Sequence, residues 1–104
     1  SGSERLKPGM GSVLAAIAKV LKHSGYQVSV EGHTDASGDA QANVMLSLAR
    51  AQGVLDFFVY AADMSPRRFC LAGYGPYMPR MPNDTPAGRA KNRRVEIVML
   101  KDRI

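Results

Sequence analysis

Apolar residues in the first part of the chain recur at the spacing of one helix face. They are Met10, Val13, Leu14, Ile17, Val20 and Leu21. A repeat of three or four residues is typical of an amphipathic helix that buries one side. Pro8 suits the first helical position, and Gly25 suits a left-handed residue that ends the helix. The pattern therefore predicts a helix from Pro8 to His23 that packs on a sheet.

The next segment alternates apolar and polar residues, as a half-buried strand does. Tyr26 to Gly32 has this alternation, and the polar loop Thr34 to Asp39 leads from the strand into a second helix. Helical spacing from about Ala40 to Ala62 predicts that helix, with Ser37 or Asp39 as its N-cap. Its core stripe would consist of Val44, Leu48, Ala51, Leu55, Phe58 and Val59.

Further elements follow in the second half of the chain. Arg68 to Tyr74 is typical of a strand, which would pair parallel to the first strand through a right-handed crossover. The glycines and prolines of Gly73 to Asp84 favour a fixed, extended loop. Thr85-Pro86 signals a short helix that ends near Asn92. Val95 to Leu100 is apolar on both faces, which predicts a central strand.

Together these elements predict an α/β fold, a two-layer sandwich with helices on one face of a mixed β-sheet. The length of 104 residues permits a single domain, 1–104, with a modest core. The hydrophobic fraction of 45% and the charged fraction of 22% are ordinary for a globular protein. Composition therefore gives no reason to expect disorder.

The chain is basic, with a formal net charge of +5 and a sequence pI near 9.7. Its 14 lysines and arginines are scattered, and only Arg67-Arg68 and Arg93-Arg94 are adjacent. No run interleaves them with aromatic residues, so we expect no nucleic-acid groove. Weak attraction to an anionic polymer is compatible with the charge.

The single cysteine, Cys70, excludes an intramolecular disulfide and a thiolate metal cage. It lies in an apolar run, so we expect a buried free thiol. We find no apolar stretch of transmembrane length and no signal-peptide pattern. Any export signal or membrane anchor is therefore expected in a longer parent protein.

Three polar residues follow the first predicted strand at spacings that bring them together. Asp35 comes just after the strand, Asn43 lies in the first turns of the second helix, and Arg50 follows seven residues later. Seven residues make about two helical turns, so Asn43 and Arg50 lie on one helix face, roughly 10 Å apart. A carboxylate, an amide and a guanidinium on two rigid elements suit a small zwitterion better than a metal or a phosphate.

Two other kinds of site have weaker support. His33 and Asp35 could act as a base and its orienting carboxylate, but no nucleophile motif accompanies them. Only two histidines are present, ten residues apart, which matches no metal-binding spacing. We therefore expect no enzyme, no cofactor and no metal, and we expect His33 to bond the loop backbone.

Four segments carry a family resemblance: EGHTD, NVMLSLARAQGV, GYGPYMP and NRRVEI. They resemble the C-terminal peptidoglycan-binding domain shared by OmpA, the Pal lipoprotein and MotB. The family's pattern is matched here by Gly32, His33, Thr34, Asp35, Asn43, Leu46, Ser47, Arg50 and Ala51. The resemblance covers nearly the whole chain, in the right order. It implies a βαβαβ-type repeat with a short extra helix, and a first strand that ends near Ser1 to Ser3.

The resemblance also implies binding without turnover. Members of the family bind the peptide stem of peptidoglycan, chiefly its diaminopimelate, whose free end carries an ammonium and a carboxylate. Asp35 would then accept hydrogen bonds from the ammonium, and Arg50 would pair with the carboxylate in a bidentate manner. Supporting hydrogen bonds would come from Thr34, Ser37, Asn43 and Arg93.

The expected partner is peptidoglycan, with no nucleic acid and with a membrane reached only through an anchor outside this chain. A homodimer is compatible with the resemblance. The expected location is the periplasm, with the parent protein anchored in the outer membrane or, alternatively, the inner membrane. The alternative function is an interaction domain of a flagellar stator or secretion apparatus whose peptidoglycan pocket is weak or vestigial.

Overall fold

The computed structural model describes residues 9–100. Three α-helices and three strands make up the main elements of this part of the chain, joined by two tight helical turns. In chain order they are α1 (Met10–Ser24), β1 (Val28–His33), α2 (Ala40–Asp56), a π-helical turn (Phe57–Ala61), a 3₁₀ turn (Pro66–Arg68), β2 (Phe69–Gly73), α3 (Pro86–Asn92) and β3 (Arg94–Met99). Pro8 and the predicted first strand near Ser1 to Ser3 lie outside the described residues.

The sheet is mixed, as predicted, and its strand order is β2-β1-β3. β1 pairs with β2 in parallel, with Val28 opposite Phe69 and Gly32 opposite Gly73. β3 runs antiparallel to β1, with His33 opposite Arg94. Among residues 9–100, β1 is the central strand and β3 pairs with β1 alone; the prediction of a central last strand stays a prediction, because the expected first strand lies outside the described residues. Apolar residues on both faces of β3 reflect partial burial, since five of its six residues are half-buried.

The helices lie on one face of the sheet because β1 turns its even-numbered residues toward them. Val28 and Val30 are fully buried. At Gly32 an added Cβ would lie 1.9 Å from the Ser47 carbonyl oxygen of α2. Only glycine permits so close a crossing of helix and strand. The core between these layers consists of Leu14, Ala18, Leu21, Val28, Val30, Ala51, Val54, Phe58 and Met64.

Local sequence signals set the helix ends. Gly25, with φ of 72°, ends α1 in the left-handed conformation. Asp39 is the N-cap of α2, since its Oδ2 accepts from the Ala42 N–H at 2.8 Å. The Thr85 hydroxyl accepts from the Gly88 N–H at 3.0 Å, and Pro86 opens α3, which ends at Asn92 as predicted. These caps confirm the predicted starts of both helices.

The second helix is continuous from Ala40 to Ala61, and these 22 residues are long and apolar enough to cross a membrane by length and composition. The expectation that no apolar stretch reaches this length is therefore wrong. The segment is nevertheless a core helix, since Ser47 and Leu48 of α2 lie against Gly32 and Gly73 of the sheet. Its buried positions are Ser47, Ala51, Val54 and Phe58, so the predicted stripe holds at Ala51 and Phe58.

Cys70 is exposed, which corrects the prediction of a buried thiol. Its neighbours Phe69 and Leu71 pack against the core, and side chains of a strand alternate between faces. Cys70 therefore lies on the face of β2 that points away from the helices. Apolar neighbours in sequence did not bury it, because they belong to the opposite face.

Candidate functional site

The candidate site is centred on the Asp35 carboxylate, two residues past the end of β1. Asp35 is 8% exposed. Its Oδ1 accepts from the Ser37 backbone N–H at 2.8 Å, and its Oδ2 accepts from Nη1 of Arg93 at 2.5 Å. Arg93 lies 58 residues further along the chain, between α3 and β3. Both carboxylate oxygens are thus partnered in the free protein.

These contacts favour the charged form of Asp35. The Ser37 N–H, and next the Arg93 side chain, lower the pKa of the carboxyl below its ordinary value of 3.8, although burial opposes them. Asp35 is therefore ionised at neutral pH. A fixed, ionised and largely desolvated carboxylate can accept hydrogen bonds from a cationic group.

The loop around Asp35 is tied to its surroundings by further hydrogen bonds. The Thr34 hydroxyl donates to the Asp35 carbonyl at 2.8 Å, and the Thr34 N–H donates to the Gly75 carbonyl at 3.0 Å. Nδ2 of Asn43, in the first turn of α2, donates to the Ser37 carbonyl at 2.7 Å. Five of the predicted site residues are thereby linked in one network: Thr34, Asp35, Ser37, Asn43 and Arg93.

Arg50 is positioned by α2. It is half-buried and lies seven residues after Asn43 in the same helix, about two turns along the axis. The two residues therefore share a helix face, as the spacing predicts. The proposed pairing of Arg50 with a ligand carboxylate stays a prediction.

A second loop, Tyr74 to Asp84, packs against the Asp35 loop and is fixed by Asn92. Asn92 is fully buried. Its Oδ1 accepts from the N–H groups of Arg80 and Met81, both at 2.9 Å, and its Nδ2 donates to the Met81 carbonyl at 2.8 Å. Nδ2 also donates to Oδ1 of Asn83, which in turn accepts from the Ala36 N–H.

Asn92 is the structural residue that sequence reasoning passed over. The sequence marks it only as the end of the short helix and as the first residue of the NRRVEI segment. A fully buried amide has to find partners, and the proline-rich loop supplies them. This network explains why that loop is fixed, as its composition predicted.

His33 does not bond the loop backbone, so the expectation for it is wrong. It is 3% exposed, and neither ring nitrogen has a hydrogen-bond partner among residues 9–100. Its ring stacks on Tyr74 instead, with centroids 5.2 Å apart. Burial, and next the Arg94 charge, lower the pKa of His33 below its ordinary 6.5. The imidazole is therefore neutral at pH 7.

Three of the 14 lysines and arginines of the chain lie around one recess. Arg80, Met81, Lys91 and Arg94 line this recess, which has a volume of about 370 Å³. Arg94 is paired with Glu96, so its charge is partly offset. The remaining positive charge can attract anionic polymers at low salt.

Comparison with known proteins places the fold among envelope proteins. The family model that matches the chain is that of the OmpA family, over residues 1–93. The peptidoglycan-associated lipoprotein of Pseudomonas aeruginosa is 38% identical over 95 residues, which cover 91% of this chain and 56% of that protein. The chain spans about half the length, or less, of the curated relatives that it matches.

Two solved structures are also similar. The C-terminal domain of Helicobacter pylori MotB gives a TM-score of 0.85 at 27% identity, covering 96% of this chain and 78% of that one. The cell wall anchor of the T6SS from Pseudomonas aeruginosa gives 0.83 at 34% identity, covering 98% and 73%. Helices on one face of a mixed three-stranded sheet are thus a fold that this chain shares with them.

Proposed function

The chain belongs to the OmpA family, and on that premise we propose that it binds peptidoglycan non-covalently and tethers an envelope protein to the cell wall. The observation that carries the proposal is the fixed, ionised carboxylate of Asp35 in a loop that has the family's motif. The names of a peptidoglycan-associated lipoprotein and of a cell wall anchor among its relatives support it. The domain acts by binding, and no residue is assigned a catalytic role.

The ligand we propose is the diaminopimelate of the peptide stem, whose free end is a zwitterion. Asp35 would accept hydrogen bonds from its ammonium, and Arg50 would pair with its carboxylate through two parallel N–H bonds. Thr34, Ser37 and Asn43 would hold the loop that presents Asp35, through the hydrogen bonds they make in the free protein.

Arg93 has a more specific part than a general supporting contact. It already pairs with Asp35, and its side chain is 46% exposed, whereas that of Asp35 is 11% exposed. An exposed guanidinium can rotate at little cost, since surface ion pairs contribute about 0–1 kcal/mol. We infer that Arg93 keeps Asp35 ionised and oriented until the ligand's ammonium shares the carboxylate.

The expected energetics follow from desolvation. Removing one charge from a buried pair leaves the other unpaired, which costs about 2–5 kcal/mol in binding. That range corresponds to a loss of affinity of about 30-fold to several thousand-fold. A variant that keeps only Asp35 or only Arg50 should therefore not be retained on the cell wall.

The location we propose is the periplasm, where the domain would reach the wall while its parent protein is held in a membrane. The inner and outer membranes are both compatible with the relatives' names, which include an outer-membrane lipoprotein and a motility protein. A sequence upstream of Ser1 that contains a lipid-attachment cysteine, barrel strands or one spanning helix would distinguish these anchors.

The experiment is co-sedimentation with purified diaminopimelate-type sacculi. Wild type should sediment with them, whereas Asp35→Asn and Arg50→Ala should stay in the supernatant. Asp63→Asn and Arg67→Ala change exposed residues outside the network and serve as charge-matched controls that should still sediment. Circular dichroism should show all four variants folded. Retention of both site variants on sacculi would refute the assignment.

The second candidate function is an interaction domain of a stator or secretion apparatus with a vestigial pocket. The similarity to MotB and to the T6SS anchor supports it. This candidate predicts no saturable binding of a diaminopimelate stem peptide, although an apparatus partner would still be recognised.

A further inference from the structure

The face of the sheet that points away from the helices carries a second polar cluster. Glu31 of β1 is directly opposite Glu96 of β3, and His33 follows Glu31 by two residues, so all three share this face. One ligand atom from each of the three side chains lies within 4.8 Å of the others. We call Glu31, His33 and Glu96 the outer-face cluster.

His33 is the unexplained member of this cluster. Both ring nitrogens are buried without a hydrogen-bond partner among residues 9–100, whereas the large majority of buried polar side-chain atoms have one. At least one nitrogen lies close to the two carboxylates. A ligand that accepts electron pairs from this imidazole would supply the missing partner.

The negative charges of Glu31 and Glu96 are only partly neutralised by a neighbouring cation. Like charges directly opposite each other on neighbouring strands repel. Arg94 offsets part of this charge, because its Nε donates to Oε2 of Glu96. Its other nitrogens donate to the carbonyl groups of Asn92 and Met78. Among residues 9–100, no hydrogen bond engages the second oxygen of Glu96 or the carboxylate of Glu31.

From these observations we propose that the outer-face cluster binds one divalent transition-metal ion, with Zn²⁺ as the best match. One imidazole nitrogen with two carboxylate oxygens is a ligand set that zinc accepts, whereas calcium and magnesium prefer oxygen alone. The ion would also remove the repulsion between Glu31 and Glu96.

The geometry requires a small contraction. Ligands at about 2.1 Å from a tetrahedral ion lie about 3.4 Å from one another, and the ligand atoms of the cluster lie within 4.8 Å of one another, so they have to close by up to about 1.4 Å. The Glu96 side chain is 34% exposed, and Glu31 is half-buried. Glutamate side chains with this freedom can rotate, while the strands hold His33 in place. The exposed side of Glu96 also gives the ion a path in from solvent.

The test is a calorimetric titration of the chelator-treated chain with Zn²⁺ at pH 7, repeated with Co²⁺ while its visible absorption is recorded. Wild type should bind one equivalent and show the absorption of nitrogen- and oxygen-ligated cobalt. Glu31→Gln, which keeps the shape of the side chain, should weaken binding at least tenfold. His33→Asn should abolish it.

The matched control is His23→Ala, which removes the other histidine of the chain at the exposed end of α1. It should bind zinc as wild type does. Absence of one-to-one binding in wild type, full affinity in Glu31→Gln, or loss of binding in His23→Ala would overturn the proposal. The test is independent of wall binding, because Asp35 is not a ligand of the proposed ion.

Discussion

Asp35 and His33, two residues apart, have opposite polar environments. Asp35 has a partner on each carboxylate oxygen, from Ser37 and Arg93. His33 is buried more deeply, at 3% against 8%, yet neither of its ring nitrogens has a partner among residues 9–100. The loop after β1 therefore already holds the Asp35 carboxylate in place in the free protein. On the outer face of the sheet, by contrast, none of the described residues bonds the buried imidazole of His33.

The largest effect is expected from Gly32→Ala, because this substitution disturbs both regions. The new Cβ would lie 1.9 Å from the Ser47 carbonyl oxygen, so α2 would have to move off β1. The Ser47 hydroxyl would then lose the Gly75 N–H that it accepts at 3.0 Å. We expect the free energy of unfolding to fall by about 3 kcal/mol or more, measured by urea denaturation.

Gly11→Ala is the control for this substitution. There the nearest heavy atom to an added Cβ is a ring carbon of Phe57 at 3.8 Å, which is ordinary contact. Alanine also favours the helix over glycine by about 1 kcal/mol, so stability should hold or rise. Equal stability of the two variants would contradict the close crossing of α2 and β1.

The next largest effect should come from Asn92→Ala, which removes the amide that fixes the second loop. Four hydrogen bonds are lost, and the N–H groups of Arg80 and Met81 lose their acceptor. We expect a loss of about 2–3 kcal/mol and faster amide exchange in the loop, measured by denaturation and hydrogen exchange. Lys91→Ala, at an exposed neighbour, should leave both measurements unchanged. Unchanged exchange in Asn92→Ala would show that other contacts fix the loop.

A smaller effect, dependent on pH, is expected from Asp35→Asn. Folding lowers the pKa of Asp35 below 3.8, so its stabilisation is fully present above that value. It is lost as the pH falls through the lower pKa of the folded state. At neutral pH the free energy of unfolding of the wild type should be higher than that of Asp35→Asn by about 1–2 kcal/mol.

That difference should shrink between about pH 5 and about pH 2, measured by urea denaturation at each pH. Asp63→Asn, at an exposed position with φ of 58° that asparagine tolerates, controls for the loss of a carboxylate elsewhere. A difference that grows as the pH falls would mean that the pKa is raised.

The smallest effect, with the opposite sign, should come from His33→Phe in metal-free buffer. Phenylalanine keeps the stack on Tyr74 and removes two buried nitrogens that have no hydrogen-bond partner in the described part of the chain. We expect the free energy of unfolding to rise by about 1 kcal/mol, and zinc should no longer add stability. Destabilisation by about 2 kcal/mol would show that the imidazole makes a favourable contact. That result would contradict the difference between the polar environments of His33 and Asp35.

Much of the fold follows from short-range patterns in the sequence. The caps at Asp39 and Thr85 and the stop at Gly25 are all signalled within a few residues of where they act. Strand order is different, because apolar residues on both faces of β3 are compatible with a central strand and with a half-covered edge. Exposure of Cys70 depends in the same way on which face the strand presents.

The candidate site likewise has a part that local sequence patterns predict and a part that depends on contacts between distant residues. Asp35, Ser37 and Asn43 could be grouped from the sequence because they belong to one strand-loop-helix segment. The Asp35–Arg93 pair joins residues 58 positions apart, and no local pattern reports a contact at that separation. Local sequence patterns also do not report that the ring nitrogens of His33 have no hydrogen-bond partner among residues 9–100. The surroundings of this ring depend on groups from β3 and the second loop.

The most direct test of the central claim is calorimetric titration of the chain with a diaminopimelate-containing stem peptide, alongside the same peptide with lysine in place of diaminopimelate. The lysine peptide keeps the ammonium and lacks the side-chain carboxylate. The account predicts saturable one-to-one binding of the first peptide and clearly weaker binding of the second. It also predicts that Arg50→Ala removes the preference between them. Equal affinity for both peptides in wild type, or no saturable binding of either, would contradict it.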